Sequence, residues 1–391
     1  MGEAVIVSAV RTPIADAYKG ALANTTIYDI GKASVSAALA RSGVPAEEVD
    51  DLILGEVLQG GGCIARYLAN DLGLPPDTPG LAVNRQCATG LTAVTTAAAS
   101  IRAGMDRVVI AGGVESMTQA PVTYRKSPVP YGVPEQWLSP SHPDRPEAPN
   151  MNMMITVGEN TARKVGVSRE EQDEWSYGSH RKAIAAIDAG RFAEEIVPME
   201  VRGWGGETRI FDTDEHPRRD TTLEKLASLR VLSGVPDGTI TAGNSSSLND
   251  ASAALVLADG DYAQANGLEV LGVVRAWCAV GVPPEETGLA PTIAIPRAVA
   301  RAGLSMDDLA LVEINEAFAS MTVGTIKVLD LDPSIVNVNG GAVGLGHPVA
   351  CSGARILVTL LHELRRRGGG YGVASLCAGG GMGAAAVIEV R

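Results

Sequence analysis

Aromatic residues are scarce in this chain, with 3 Phe, 4 Trp and 8 Tyr among 391 residues. A large interior must then be filled by Ala, Val, Leu and Ile, with Gly letting backbones approach closely, and that composition favours layered α/β packing. Cysteine is sparse as well. Cys63, Cys87, Cys278, Cys351 and Cys377 are odd in number and scattered, with no CxxC pair, so neither a disulfide framework nor a metal site is indicated. Positive charge is in deficit. A net charge of −13 argues against a nucleic-acid binder and against a membrane-surface protein, and it obliges any anionic ligand to find a local basic patch. Long apolar runs are missing, and the opening MGEAVIVSAVRTP has no basic stretch ahead of an apolar one. These absences predict a soluble protein of the reducing cytoplasm, without a membrane span or disulfides. The length suits two or three domains.

What the chain does contain is one pattern written twice. RSGVPAEEVDDLILGE at 41–56 returns as RAGLSMDDLALVEINE at 301–316, aligning Arg41 with Arg301, Gly43 with Gly303 and Glu56 with Glu316 at a constant offset of 260. The same offset carries Cys87, in VNRQCATGL, onto His347, in LGHPVACSG. Two repeats of one fold packed about a pseudo-twofold axis bring a thiol and an imidazole together near that axis, which is an arrangement for nucleophilic catalysis.

Short β-branched runs, EAVIVSAV, 50–57 and 107–113, alternate with Ala-rich helical stretches at 29–42 and 88–103. The C-terminal part repeats the rhythm: helix 292–302, strand 310–314, helix 348–366, strand 371–376 and a last strand AAAVIEV. Between the halves, 120–248 is Pro-rich and more polar, with an amphipathic stretch from Ser168 to Ala189. Insertions of that kind cover sites or build interfaces. The predicted division is 1–119 plus 249–270 for the first half, 120–248 for the inserted loop domain and 271–391 for the second half.

Cys87 reads as the residue at a strand-to-helix turn, where a helix N-terminus lowers a thiol pKa. An isolated cysteine is more often a small buried hydrophobe, but Gly90 beside it and His347 at the matching place favour the nucleophile. His347 lies in a turn so rich in Gly that backbone must approach something closely, and Cys377 precedes GGGMG, where backbone N–H groups converge on an oxyanion. No βαβ unit follows, which excludes a dinucleotide fingerprint. Asn315 closes a strand. Its counterpart is Gly55, and that asymmetry hints at function, whereas Glu316 repeats Glu56 and reads as structural.

The set NRQCATG, GGVESM, AGNSSSLNDA, NEAFA, NGGAVGLGHP and CAGGGMG, in this order along the whole chain, resembles the thiolases, coenzyme A-dependent acyltransferases. The resemblance implies a five-layered αβαβα core from two pseudo-twofold halves, a loop domain over the site, and a homodimer or homotetramer. It implies no permanently bound cofactor, with coenzyme A and acyl-CoA as substrates. By the same resemblance Cys87 is the acylated nucleophile and His347 its base. Cys377 handles the α-proton, Asn315 holds a water in one oxyanion hole, and the N–H groups of Cys87 and Gly379 form the other. Ala242, Ser246, Leu248, Ala317 and Phe318 line the pantetheine channel. Among Arg125, Lys126, Arg163, Lys164, Arg218 and Arg219, Arg218 is the candidate for the adenine end. Thr89, Ala350 and Cys351 depart from the family pattern and are expected to trim the acyl pocket. Met153 and Ile155 in MNMMITVGENTA depart from it on the loop domain.

Two rivals remain in view. A decarboxylating ketosynthase of the same superfamily pairs its Cys with two His, or with His and Asn, and Cys377 with Asn315 disfavours it. A catalytically silent scaffold is disfavoured by the intact set Cys87, His347, Cys377 and Asn315.

Overall fold

The computed structural model describes residues 2–151, 153–203, 205–232, 234 and 237–391. In the first half, β1 (Ala4–Arg11), α1 (Ile27–Ser42), β2 (Asp51–Gly55), α2 (Ile64–Asp71), β3 (Leu81–Val83), α3 (Thr89–Arg102) and β4 (Val108–Ser116) follow in order. The insertion contributes α4 (Met153–Val165) and α5 (Arg169–Asp188), and the chain returns as β5 (Asn249–Asp259). The second half runs β6 (Gly272–Gly281), α6 (Pro291–Arg301), β7 (Leu309–Ile314), α7 (Ala319–Leu329), α8 (Val349–Arg366), β8 (Gly370–Ala378) and β9 (Met382–Val390). Element types agree with the sequence reading, and boundaries shift by at most three residues, as helix and strand ends do, the largest shift being the end of β4, read at 113 and found at Ser116. The last strand begins at Met382 inside GGGMG, so Gly379–Gly381 is a tight turn between β8 and β9.

The strands form one hydrogen-bonded path in the order β7-β8-β9-β6-β1-β5-β4-β2-β3. The sheets of the two halves pair through Val5↔Val273 and Ile6↔Gly272, so the path is two sheets joined at a short seam. Each half has parallel pairs at its outer side, β4 with β2 and β2 with β3 in one, β7 with β8 in the other.

Five layers follow from the alternation of apolar residues along the strands. Val5, Val7, Leu52, Leu54, Ile110 and Val256 pack outward against Ile30, Val35 and Leu68 of α1 and α2. Their neighbours Ile6, Ile53, Val109, Leu255 and Leu257 face inward against Leu91, Val94 and Ile101 of α3 and Ile356, Leu357 and Leu361 of α8, which share that layer with Ala374, Ala386 and Ile388 of the second sheet. Val312, Val373, Ala385 and Val387 pack on the far side against Ile295 and Val299 of α6 and Ile326 of α7. Strands buried on both faces read as continuous hydrophobic runs, as these do.

The two central helices cross with almost no side chain between them. A Cβ on Gly90 would lie 2.7 Å from Ala350 O, and one on Gly353 would lie 2.3 Å from Leu91 N. Cys87 and His347 each stand two residues ahead of the first residue of these helices, α3 at Thr89 and α8 at Val349. The insertion is tied to the core by the buried Arg11, whose Nε and Nη1 meet Glu195 and Asp214 at 2.7 Å each. A capping box at Ser168 and Glu171 starts α5, two orphan N–H groups being satisfied reciprocally. Asn152 of the MNMMITVGENTA segment lies outside the described residues.

Candidate active site

The turn that presents Cys87 is held by its own side chains. Asn84 Oδ1 accepts from Gln86 N at 2.9 Å, Thr89 Oγ1 accepts from Arg85 N at 2.7 Å, and Gln86 adopts φ 48°, a left-handed conformation that non-glycine residues seldom take and that clusters at functional turns. The thiol is buried, with the backbone N–H groups of Gly379 and of Cys87 itself placed to favour its anion. The sequence reading expected a lowered pKa at this helix start, and the structure reverses it. Burial comes first and pushes Cys87 up to about 11, the two N–H donors offsetting only part, so the resting group is a thiol. No hydrogen bond links its sulfur to His347 among the described residues.

His347 is fixed by three bonds. Its N–H donates to Asn249 Oδ1 at 2.8 Å, Nδ1 lies 2.6 Å from Ser352 Oγ, and Nε2 lies 3.4 Å from Asn315 Nδ2. Ser352 Oγ donates to Pro348 O at 2.9 Å, so toward the ring it must accept. The hydrogen-bond network therefore assigns the proton to Nδ1 and leaves Nε2 as an acceptor, its lone pair toward the Asn315 amide N–H. Burial, aided by the cation of Arg355, pushes the imidazolium pKa down to about 3. His347 is a neutral imidazole.

Cys377, the penultimate residue of β8, is buried with Sγ 3.6 Å from Met321 Sδ. Burial raises its pKa well above the usual thiol range, and a thiolate at Cys87 raises it further, which places the two sulfurs within electrostatic reach. Asn315 directly follows β7 with N–H on Ser375 O at 2.9 Å, and its Oδ1 is buried without a protein partner, a polar site of the kind ordered water occupies. Glu316 is structural, as its repetition suggested. Its carboxylate accepts from Trp175 Nε1, Ser179 Oγ, Asn337 Nδ2 and Val343 N.

The segment 242–248 runs beside 317–319, through Ser246 N to Ala317 O at 3.0 Å and a bridge between Ser245 and Phe318. Leu248, 52 % exposed, bridges to His347, and Ala242 is exposed while Ala317 and Phe318 are buried. These five residues form one wall leading to the imidazole. Among the basic candidates, Arg125, Lys164 and Arg219 are engaged by Glu135, Glu286 and Asp188. Arg218 is exposed and has no acidic partner among the described residues.

The departures near Cys87 are packed into the core. The Thr89 methyl packs on Gly55, whose Cβ would lie 2.3 Å from it, and Cys351 is in the central layer. Ala350 is buried at the helix crossing. Met153 instead joins a small cluster with Val157, Ile240, Phe318, Met321 and Cys377, with Met154 and Ile155 at its edge. Sequence reasoning missed Ser352 and Asn249. The available signal for Ser352 was a hydroxyl one helical turn into the helix that His347 introduces.

Family models describe the chain from end to end: "Thiolase, N-terminal domain" matches residues 4–261 and "Thiolase, C-terminal domain" matches 268–390. The 3-ketoacyl-CoA thiolase of Bacillus subtilis is 42% identical over 406 residues, covering 100% of each protein. The acetyl-CoA acetyltransferase of Pseudomonas aeruginosa is 42% identical over 99% of each. The crystal structure of the Bacillus anthracis acetyl-CoA acetyltransferase superposes with TM-score 0.92 at 40% identity, over 100% of this chain and 99% of that one. That of human mitochondrial 3-ketoacyl-CoA thiolase in complex with CoA gives 0.92 at 38% identity, over 100% and 98%.

Proposed function

The chain belongs to the thiolase family, and from that premise we propose that it is an acetyl-CoA C-acyltransferase working by ping-pong chemistry through an acyl-Cys87 intermediate. The single observation that carries the residue assignment is the His347 network, because Ser352 holds a neutral imidazole with the proton on Nδ1 and an Nε2 lone pair engaged only by a long 3.4 Å contact from Asn315 Nδ2. In the first half-reaction Cys87 Sγ bonds to the thioester carbonyl carbon of an acyl-CoA while His347 takes the thiol proton. The tetrahedral oxyanion meets the N–H groups of Cys87 and Gly379, and coenzyme A leaves with the proton. One such donor is worth about 2.7–4 kcal/mol of transition-state stabilisation. In the second, His347 takes the Cys377 thiol proton onto Nε2, the Cys377 thiolate removes the α-proton of acetyl-CoA, the His347 Nε2–H and a water on Asn315 stabilise the enolate oxygen, and the carbanion displaces the Cys87 thiolate, which recovers its proton from His347, to give 3-oxoacyl-CoA. Thiolysis is the reverse.

Ala242, Ser246, Leu248, Ala317 and Phe318 are proposed to line the pantetheine channel and Arg218 to meet the nucleotide end of coenzyme A, with no permanently bound cofactor. The proposed units are 1–119 plus 249–270, the covering loop domain 120–248, and 271–391. A homodimer or homotetramer is supported by β3, a short edge strand with Leu81 41 % exposed, since an unpaired strand edge is a template for pairing. No helix among the described residues is long and apolar enough to cross a membrane; a cytoplasmic setting is part of the proposal. The ketosynthase and scaffold alternatives are not favoured by the acyltransferase and thiolase relatives. The test is mass spectrometry of protein incubated with acetyl-CoA: one acetyl group on Cys87, lost in Cys87→Ala. Acetylation of Cys63, Cys278 or Cys351 instead would sink the assignment.

A further inference from the structure

The assigned roles leave one buried acid beside the catalytic turn unused. Glu115, on β4, is fully buried, and no lysine or arginine pairs with it among the described residues. Its two oxygens point to different parts of the first half's border. Oε2 accepts from Ala350 N at 3.1 Å and Oε1 accepts from Leu58 N at 3.3 Å. Ala350 is in the first turn of α8, three residues after His347, and Leu58 is in the loop after β2.

Ala350 is where three elements meet. A Cβ on Gly113, two residues before Glu115 on the same strand, would lie 2.0 Å from Ala350 O, and one on Gly90 of α3 would lie 2.7 Å from the same atom. The first turn of α8 is thus gripped at its carbonyl by close packing and at its N–H by a carboxylate. A negative group at a helix N-terminus is favourable, yet a buried carboxylate without a cation is costly. A neutral amide or an apolar residue would avoid that cost and would fail to accept from two N–H donors at once.

We propose that the Glu115 carboxylate is a positioning residue for His347, fixing the first turn of α8 by bridging Ala350 N to Leu58 N. The inference rests on the thiolase reading of His347. Burial pushes the Glu115 pKa up to about 7, with the Ala350 and Leu58 N–H groups holding it from rising further. The titratable groups that face it are Asp250 on β5, Cys87 ahead of α3 and Cys351 on α8. Asp250 is itself raised by burial, Cys87 stands near 11 and Cys351 near 12. Protonation removes one acceptor from the bridge, so the grip on α8 weakens as pH falls through neutrality, while His347, near 3, does not titrate there.

The test compares wild type with Glu115→Gln and Glu115→Asp in thiolysis of acetoacetyl-CoA. Gln keeps the shape but offers only one acceptor, and Asp is one methylene short of spanning both donors. The expected result is a kcat lower by roughly 10- to 100-fold, as displacement of a catalytic group by about 1 Å produces. KM values should stay within twofold, with melting temperature little changed. Wild-type kcat should fall on the acid side with a midpoint near neutrality, and this limb should vanish in the Gln variant. Parallel loss of kcat, KM and melting temperature would reduce Glu115 to packing and overturn the proposal, as would full activity of the Gln variant. If neither variant folds, the wild-type profile decides, a kcat flat from about pH 5.5 to 8.5 refuting the role. Wild-type protein with no thiolysis or condensation at all overturns the thiolase reading and this inference together; an active wild type with an unaffected Gln variant overturns this inference alone.

Discussion

Gly353→Ala tests whether the crossing of α3 and α8 sets the distance between nucleophile and base. The new Cβ would lie 2.3 Å from Leu91 N, 2.8 Å from Leu91 Cβ and 3.1 Å from Leu91 Cα. Two of these atoms are backbone, so no side-chain rotation relieves the clash, and carbon contacts settle near 3.5–4.0 Å. The helices must therefore part by about 1 Å at the crossing, at an overpacking cost of about 1–3 kcal/mol. Cys87 and His347 are both carried two residues beyond the crossing ends of these helices, so the displacement is passed to them, and 1 Å of misplacement is on the order of 100-fold in rate. The nearest atoms the new Cβ would meet all belong to Leu91 and none to 242–248 or 317–318, so affinity for coenzyme A should persist. Rapid-quench mass spectrometry of acetyl transfer to Cys87, thermal melting and equilibrium binding of coenzyme A separate these effects. Acetyl transfer within twofold of wild type, with an unchanged melting temperature, would show that the crossing is not what positions the pair.

Other consequences can be checked independently. Cys377→Ala should still accept an acetyl group on Cys87 but fail to exchange the α-protons of acetyl-CoA with deuterated solvent and fail to make acetoacetyl-CoA; equal loss of acetylation and condensation would make Cys377 a support for the turn. Ser352→Ala removes the acceptor that keeps the proton on Nδ1 of His347 and should slow acetylation roughly 10- to 100-fold, the range typical of lost orienting partners; unchanged turnover refutes the tautomer assignment. Because burial raises the Cys87 pKa to about 11 and lowers that of His347 to about 3, the thiolate fraction grows about tenfold per pH unit below 11. Iodoacetamide alkylation of Cys87 should accordingly keep rising through pH 9, and a plateau near pH 7 would reveal a preformed ion pair.

The sequence by itself determined the doubled architecture and singled out the candidates for the reacting groups. A constant offset of 260 relates Arg41 to Arg301 and Cys87 to His347, and β-branched runs between Ala-rich stretches mark the strands and helices because periodicity is a local property. Glu316 was legible as structural for the same reason, its repetition. Only the tertiary structure decided the protonation states. A helix start favours a thiolate, which is all that local sequence can say about Cys87, whereas desolvation depends on everything packed around it, and here desolvation is the larger effect. The direction of the Thr89 methyl toward Gly55, the tautomer imposed by Ser352, and the reach of Glu115 across 235 residues to Ala350 were likewise invisible beforehand. Each depends on which distant backbone arrives within about 3 Å, and nothing in the local pattern of a chain records that distance.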